Sequence, residues 1–347
     1  MFDFSKLKHP IIQAPMAGGI NTPEMVSAAI NAGAVGSYGF AYSSPGKISE
    51  DINAARNLRN AETQGALNCN FFVFVEKIKY STQDLDGPLD ALRSLDFVGK
   101  LELEIPKPPF FLDLETQLEP IWMEPPEILS FHFGVPDKEI ISKAHAFDVS
   151  VGITATSLEE ARRVEQSGAD FIVAQGFEAG GHRGIHDPDG DDDKLKTLEL
   201  IQRLSSSSKL PLVAAGGIMN RNQLIEIIEA GATAVQMGTV FLTCAESGAS
   251  EAYKKMLLDQ KHRSTVFTQA FSGRPARAIE NEFVTLMEGQ ALLPFPLQNK
   301  ITASIRKYAS KLENPEYQSL WAGVNYPECR KETVAELIER MSWKERS

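Results

Sequence analysis

The fold is decided by residues 211–239, which read PLVAAGGIMNRNQLIEIIEAGATAVQMGT. The segment begins with a short apolar run at residues 211–215, which predicts a buried strand. A helix is predicted over residues 221–229, and a second apolar strand over residues 234–238. Short, continuously apolar strands that alternate with amphipathic helices are typical of a parallel sheet covered by helices.

The same alternation extends over the first 250 residues. A hydroxyl followed by proline, Thr22-Pro23, predicts the start of the first helix, and Gly33 predicts its end. Eight such strand–helix units favour a closed (β/α)8 TIM barrel of the α/β class over an open doubly wound sheet. The predicted strands are residues 9–16, 34–41, 65–74, 128–134, 149–155, 169–175, 211–215 and 234–238.

Two regions interrupt this alternation and define the predicted domains. Residues 81–128 carry seven of the nineteen prolines and eleven acidic against three basic side chains, so we interpret them as a Pro-rich acidic insertion, with a covering helix over 112–123. Residues 251–347 follow the last strand and are predicted to form a smaller helical, substrate-binding domain. The barrel, which would bind the cofactor, then comprises residues 1–80 and 129–250.

The chain has 347 residues and a formal net charge of −11, and its hydrophobic fraction of 43% is ample for a large core. An acidic chain is a poor partner for nucleic acid or an anionic membrane. We find no apolar stretch of about 18 residues that would span a bilayer. Three scattered cysteines do not form a disulfide framework, so we expect a reduced, cytoplasmic protein.

The net charge is concentrated in two places. The insertion contributes 3 − 11 = −8, and residues 187–193 contribute five acids and no base, or −5. The rest of the chain therefore carries −11 + 13 = +2. An anion-binding site remains compatible with such a barrel, provided that local donors form it.

Glycines follow the seventh and eighth predicted strands, where such barrels often hold phosphate. Gly216 and Gly217 end strand seven, and Gly238 and Thr239 end strand eight. Glycine lets the backbone approach an anion closely, and the helix that begins near Asn220 should point its positive end toward the same place. The alternative is that these are packing glycines.

The loop after strand six, AGGHRG at residues 179–184, combines a flexible backbone with His182 and Arg183. Histidine titrates near neutral pH, so His182 is the candidate acid or base, and Arg183 is expected to attract an anion. The alternative is a surface loop whose histidine caps a helix. His182 and His186 lie on a Gly/Pro loop rather than a helix, so no metal site is expected.

Amide side chains stand at three other predicted strand ends, on Gln13, Asn70 and Gln175. Amides donate and accept at once, which suits the edge of a heterocycle such as a flavin or a purine. Met16 could pack on a planar ring, although a methionine is more often plain core. His132 is predicted either to face the barrel mouth or to be a satisfied core histidine.

Taken in order, these segments resemble the class I branch of the nitronate monooxygenase family, formerly called 2-nitropropane dioxygenase. The resemblance covers residues 10–242 and rests on QAPMAG at 13–18, Asn70, FHFG at 131–134, residues 175–184, AAGGI at 214–218 and QMGT at 236–239. It implies a flavoprotein that oxidises alkyl nitronates, such as propionate 3-nitronate, with O2 to carbonyl compounds plus nitrite or nitrate.

The resemblance also implies roles for individual residues. His182 matches the catalytic histidine of the family, where it would orient the nitronate or remove a proton from a neutral nitroalkane. Non-covalent FMN would be bound by Met16, Asn70, Gln175, Gly180, Gly217, Gln236, Met237, Gly238 and Thr239. The partners are then a small anionic nitronate and O2, and the sequence leaves a homodimer open.

Three other functions remain as alternatives. A flavin-dependent enoyl-thioester reductase or NAD(P)H:quinone reductase of the same barrel superfamily would share the Gly-Gly-His element, although Arg183 favours the nitronate branch. A phosphosugar isomerase or aldolase would use the same phosphate loops without flavin, but we find no convincing catalytic Glu or Lys at a strand end. A non-catalytic binding barrel is the third.

Overall fold

The computed structural model describes residues 2–74, 82–99, 101–103, 105–259 and 263–342. Its strands are β1 (Ile11–Gln13), β2 (Val35–Gly39), β3 (Ala66–Phe72), β4 (Ile128–His132), β5 (Ser150–Ala155), β6 (Phe171–Gln175), β7 (Gly181–His182), β8 (Leu212–Ala215), β9 (Ala234–Met237), β10 (Thr265–Thr268) and β11 (Ala276–Ile279). Its α-helices are α1 (Pro23–Asn31), α2 (Pro45–Asn57), α3 (Asp86–Arg93), α4 (Leu114–Met123), α5 (Lys138–Ala146), α6 (Leu158–Ser167), α7 (Thr197–Ser205), α8 (Arg221–Glu229), α9 (Glu251–Leu258), α10 (Glu282–Leu286), α11 (Leu297–Ile301), α12 (Ala303–Lys311) and α13 (Val334–Met341).

Eight parallel strands close into a barrel in the order β1-β2-β3-β4-β5-β6-β8-β9. Strand β1 completes the closure, because Ile12 is in register with Val35 of β2 on one side and with Gln236 of β9 on the other. The predicted (β/α)8 TIM barrel of the α/β class is therefore confirmed. Strand β4 ends two residues earlier than predicted, since Phe133 has a φ of 77° that a strand does not tolerate.

Local sequence signals account for the helix boundaries. The Thr22 side chain accepts a hydrogen bond from the Met25 N–H and so caps α1, as the Thr22-Pro23 pair predicts. Helix α6 ends at Gly168, whose φ of 89° is left-handed. These helix ends can be predicted because the residues that form each cap lie within about one helical turn of each other.

Large side chains fill the barrel interior below the mouth. Phe171 and Val173 project from β6 into a buried cluster that also includes Ile12 and Val35. A Cβ on Gly152 of β5 would lie 2.1 Å from the Phe171 ring, so only glycine leaves room for that ring. The barrel is thus closed underneath, and ligands are confined to its upper end.

The segment after the barrel contains two strands that the sequence pattern did not predict. Strands β10 and β11 are antiparallel, and β11 pairs with β7, so that Ala276 is in register with His182. Each of the two strands is only four residues long, too short for a clear periodicity, and the pairing of β11 with β7 joins positions remote in sequence. The remainder of this segment is mainly helical.

The acidic insertion packs on this same segment after the barrel. Leu89 and Leu92 of α3 belong to one buried cluster with Phe271, Phe283 and Leu297, which all follow the barrel in sequence. The predicted domain boundaries stay a prediction.

Among the described residues, the helices are too short or too polar to cross a bilayer.

The loop between β7 and α7 is tied down by a buried ion pair. The guanidinium of Arg183 donates two hydrogen bonds of 2.8 Å to the carboxylate of Asp192, and a third, of 2.6 Å, to the carbonyl of Gln175. The Arg183 side chain is 1% exposed and that of Asp192 is 15% exposed. Burial raises the pKa of Asp192, but hydrogen bonds from Arg183 and Lys194 outweigh it and leave the pKa below its usual range.

We expect Asp192→Asn to lower the free energy of unfolding by about 1–3 kcal/mol, because the guanidinium of Arg183 stays buried without a counter-charge. Urea-induced unfolding at neutral pH measures this loss. The matched control is Asp193→Asn, at an exposed position, which should change stability by less than about 0.5 kcal/mol. Because the pKa of Asp192 is lowered, its contribution disappears as the pH falls below about 4, so the two proteins should converge there. Equal effects of the two substitutions at neutral pH would contradict the structural role of the pair.

Candidate active site

A cavity of about 580 Å³ opens at the carboxyl ends of the barrel strands. Its volume falls within the range of about 300–1,000 Å³ that is usual for small-molecule and cofactor sites. The structure brings His182 and every residue expected to bind FMN to this one cavity. Its lining includes His182, Met16, Asn70, Gln175, Gly180, Gly217, Gln236, Met237, Gly238 and Thr239.

The two glycine loops after β8 and β9 present backbone donors at the cavity. Gly217 has a φ of 71°, a conformation that favours glycine. Within the described parts of the chain, the N–H groups of Gly217, Gly238 and Thr239 have no hydrogen-bond acceptor. Unpaired backbone donors beside a cavity are suited to a phosphate group. This donor set fits the phosphate end of FMN.

Residues that follow the barrel close over these loops. Asn325 donates from Nδ2 to the carbonyl of Gly217 over 2.7 Å, and the N–H of Gly323 donates to Thr239 Oγ1 over 3.0 Å. A Cβ on Gly180 would lie 2.5 Å from the backbone of Ala322 and of Gly323. Gly180 is therefore a packing glycine as well as a lining residue.

The amino end of α8 contributes less than the sequence predicts. Asn220 and Gln223 form a capping box, in which Gln223 Oε1 accepts from the N–H groups of Met219 and Asn220, and Asn220 Oδ1 accepts from that of Gln223. These donors are satisfied by the helix itself. The N–H groups of Met219, Asn220 and Gln223 are therefore not available to an anion, whereas those of the glycine loops are.

The three amides predicted at strand ends have different surroundings. Gln175 donates to the carbonyl of His182 over 3.0 Å and accepts from the N–H of Gly184 over 2.7 Å, so it fixes the backbone on both sides of Arg183. Asn70 donates from Nδ2 to Ser130 Oγ over 2.9 Å at the cavity wall. Gln13 is fully buried and is not part of the lining, so the prediction that it faces a heterocycle is wrong.

Arg183 does not face the cavity either. It is buried and paired with Asp192, and it lies outside the lining. The prediction that it attracts an anionic substrate is wrong, because the acid run at residues 187–193 supplies its counter-charge. A local pattern of Gly, His and Arg does not reveal which side of a short strand each side chain occupies.

His182 stands among aromatic rings at the cavity wall. The ring centroids of Trp321, Phe295 and Phe133 lie 5.5, 5.6 and 5.7 Å from that of the imidazole. Phe72 lies edge-on at 6.2 Å. This partial apolar enclosure disfavours the charged form of the imidazole.

The pKa of His182 is lowered from 6.5 to about 3, first by burial and then by the positive charge of neighbouring groups. Those groups are His132, Arg274 and Arg306. Burial likewise lowers the pKa of His132, which lines the same cavity and hydrogen-bonds Thr154 Oγ1 through Nδ1, to about 3. Both histidines are therefore neutral at the pH of the cell.

Ser272 fixes the tautomer of His182. Its hydroxyl lies 2.9 Å from His182 Nε2 and 3.1 Å from the carbonyl of Arg274. That carbonyl can only accept, so the hydroxyl donates to it, and Nε2–H of His182 donates to the Ser272 oxygen. Nδ1 then keeps the lone pair and can accept a proton.

Sequence reasoning missed the site residues that come from beyond the barrel, notably Ser272, Arg306 and Trp321. Ser272 precedes the recognised Gly-Arg-Pro turn, but only the pairing of β11 with β7 places it beside His182. Arg306 is one of many basic residues on amphipathic helices. No local signal distinguishes it from a solvated surface arginine.

Comparison with known proteins agrees with this geometry. The family model described as nitronate monooxygenase matches residues 1–343. A nitronate monooxygenase of Pseudomonas aeruginosa is 35% identical over 350 residues, covering 96% of this chain and 95% of that protein. A probable nitronate monooxygenase of Staphylococcus aureus is 35% identical over 321 residues, covering 91% and 88%.

Solved structures show the same likeness. A nitroalkane oxidase from Streptomyces ansochromogenes superposes with a TM-score of 0.88 at 33% identity, covering 97% of this chain and 95% of that chain. FabK from Thermotoga maritima superposes with a TM-score of 0.73 at 24% identity, covering 97% and 93%, a likeness that concerns the fold alone. With a matching family model over nearly its whole length and relatives at this identity, the chain belongs to the nitronate monooxygenase family of oxidoreductases.

Proposed function

We propose that this protein oxidises alkyl nitronates with O2, using FMN, to carbonyl compounds plus nitrite or nitrate. The observation that carries the proposal is the single cavity, in which a neutral, ring-enclosed His182 and three unpaired backbone donors lie at the mouth of the barrel. Membership of the family supplies the reaction class.

The residues that would hold FMN fall into two groups. Gly217, Gly238 and Thr239 offer N–H donors for its phosphate, while Met16 and Asn70 offer an apolar and an amide contact for its rings. Gln175, Gly180, Gln236 and Met237 complete the proposed set. When bound, FMN supplies the redox chemistry that side chains cannot perform.

The role we propose for His182 follows from its protonation state. As a neutral imidazole with Nδ1 as acceptor, it can take the proton from the carbon of a neutral nitroalkane. A conjugate acid with a pKa of about 3 makes it a weak base, however, so this step is unfavourable. A preformed nitronate needs no such step. We therefore propose that nitronates are the preferred substrates and that nitroalkanes are poor ones.

The reductase alternatives call for hydride transfer from a reduced nicotinamide or for reduction of an enoyl thioester. The structural likeness that favours them, to FabK, concerns the fold alone. The monooxygenase is the function that these observations support best.

The purified protein is expected to be yellow, with the absorbance of bound flavin, and to consume O2 when propionate 3-nitronate is added. Visible spectroscopy and an oxygen electrode measure the two properties. Anaerobic NADH or NADPH should leave the flavin absorbance unchanged, because the proposed reaction needs no reduced nicotinamide. Rapid bleaching by either would contradict the proposal in favour of a reductase. A colourless protein that does not bind added FMN would favour the flavin-free alternatives.

His182→Asn is expected to lower kcat/KM for a neutral nitroalkane by about 100-fold, the lower end of the usual contribution of a general base, because the low pKa makes His182 a weak one. The loss for the corresponding preformed nitronate should be less than about tenfold. Steady-state oxygen uptake with both forms of the same compound gives the comparison. In the wild type, kcat/KM for the nitronate should show no His182 ionisation from about pH 5 to about pH 8, because the pKa is lowered to about 3.

His145→Asn serves as the control for this substitution. His145 lies on α5, where it pairs with Asp170 and is 42% exposed, so the same chemical change there should leave both substrates unaffected. Equal losses on the nitroalkane and the nitronate in His182→Asn would argue against a base role. An ionisation near pH 6.5 that disappears in the variant would show that the imidazole is not neutral as described.

A further inference from the structure

Residues 321–329, which follow the barrel in sequence, connect the loops at the end of the cavity where the phosphate of FMN is expected. They hydrogen-bond to the loops that follow β6, β8 and β9. The three contacts are the N–H of Val324 to the carbonyl of Glu178 (3.1 Å), Asn325 Nδ2 to the carbonyl of Gly217 (2.7 Å) and the N–H of Gly323 to Thr239 Oγ1 (3.0 Å). Gly323 and Asn325 also line the cavity, so this segment forms part of its wall.

The segment is anchored on both sides of Asn325. Trp321 pairs with Ala278 of β11 as an isolated bridge. Beyond the other end of the segment, the carbonyl of Arg330 accepts a hydrogen bond of 2.7 Å from Thr243 Oγ1. A segment that is held on both sides keeps the side chain between them in a fixed position.

Asn325 completes a set of donors that engage the carbonyl oxygens of the loop after β8. Three successive carbonyls of this loop each accept a hydrogen bond from outside it. The bonds are the N–H of Gly176 to Ala215 (2.9 Å), Thr197 Oγ1 to Gly216 (2.8 Å) and Asn325 Nδ2 to Gly217 (2.7 Å). The first two donors belong to the barrel, whereas Asn325 belongs to the segment that follows it.

The N–H groups of the same loop remain available to a ligand. Those of Gly217 and Ile218 have no acceptor in the part of the chain that the structure describes. The peptide bond between these two residues is trans, so its C=O and N–H point in opposite directions. Because the carbonyl is bonded to Asn325, the N–H of Ile218 is directed away from Asn325. Successive N–H groups of this kind form a concavity that suits an anion.

The two glycines make the orientation of this peptide depend on a contact from outside the loop. Gly216 and Gly217 have φ values of 120° and 71°, which residues with side chains rarely adopt. Glycine also reaches other backbone angles at little cost, including those that would turn the Gly217 carbonyl toward a bound anion. A carbonyl oxygen in that position would repel a phosphate. The hydrogen bond from Asn325 opposes this rotation.

We propose that Asn325 is a positioning residue for the phosphate of FMN and acts through the Gly217 peptide. The proposal rests on the flavin named in the proposed function. Its effect is specific to flavins that carry a phosphate. Riboflavin has the ring system and the ribityl chain of FMN but lacks the phosphate, which makes it the matched ligand.

Asn325→Leu removes the donor, keeps a similar size and adds no charge. It should weaken FMN binding by about tenfold, as expected for one lost hydrogen bond, and riboflavin binding by less than about threefold. Fluorescence titration of the full-length protein, freed of flavin, with each ligand measures both dissociation constants. The rate at which FMN leaves the loaded protein after dilution should rise by about tenfold as well. Asn325→Gln, which keeps an amide donor, should retain part of the preference for FMN.

Asn57→Leu is the matched control, since it makes the same chemical change at an exposed position of α2. It should leave both dissociation constants unchanged. Equal weakening of FMN and riboflavin binding in Asn325→Leu would indicate a general structural defect and would overturn the proposal. Unchanged FMN binding would overturn it too. Asn325→Ala, which removes the donor without adding bulk, gives the same comparison if the leucine side chain is not accommodated.

Turnover separates this proposal from the proposed function. With propionate 3-nitronate at saturating FMN, Asn325→Leu should keep kcat within about twofold of the wild type, because Asn325 acts on the phosphate end of the cofactor and not on the reaction. A protein whose preference for FMN depends on Asn325 but which oxidises no nitronate would retain the positioning role and reject the proposed reaction. A wild-type protein that binds neither flavin would overturn both.

Discussion

The site depends on a two-residue strand. The pairing of Gly181–His182 with β11 is the β-sheet contact between the barrel and the segment after it. On the barrel side, the side chain of Gln175 donates a hydrogen bond to the carbonyl of His182. On the other side, the hydroxyl of Ser272 hydrogen-bonds the imidazole. Because the pairing involves backbone groups, it fixes the position of His182 independently of a ligand. Two of the rings that surround His182, those of Phe295 and Trp321, come from the segment after the barrel.

The electrostatics of the cavity differ from those of the protein as a whole. The chain carries a net charge of −11, yet no Asp or Glu is present in the lining among the residues that the structure describes. Among the described residues, two histidines, two tyrosines and one arginine supply the ionisable side chains there. A chain that repels anions at long range thus offers a local site without repulsion, and the low dielectric of the cavity strengthens each remaining interaction.

A feature could be predicted from the sequence when the residues that determine it are close together along the chain, and not when they are far apart. The barrel strands, the cap of α1 and the glycine loops were predictable, because each is set by neighbouring residues. The two short strands β10 and β11 were not, since each has only four residues and β11 is placed by its pairing with β7, about 95 residues earlier in the chain. Gln13 and Arg183 show that the sequence also did not predict which way a side chain points. Each has the residue type that a site requires, but the direction of the side chain depends on partners such as Ser37 and Asp192.

Arg183 and Arg306 illustrate why pairing is a better guide to function than residue type. Arg183 is fully buried, and Arg306 is partly buried at the wall of the cavity. Arg183 meets a carboxylate in a bidentate geometry, so its charge is fully used within the chain and its role is to hold the loop. Arg306 meets only the oxygens of Asn299 and keeps an enclosed Nε–H without an acceptor. Of the two, Arg183 is therefore the one whose charge is accounted for by a contact within the described chain.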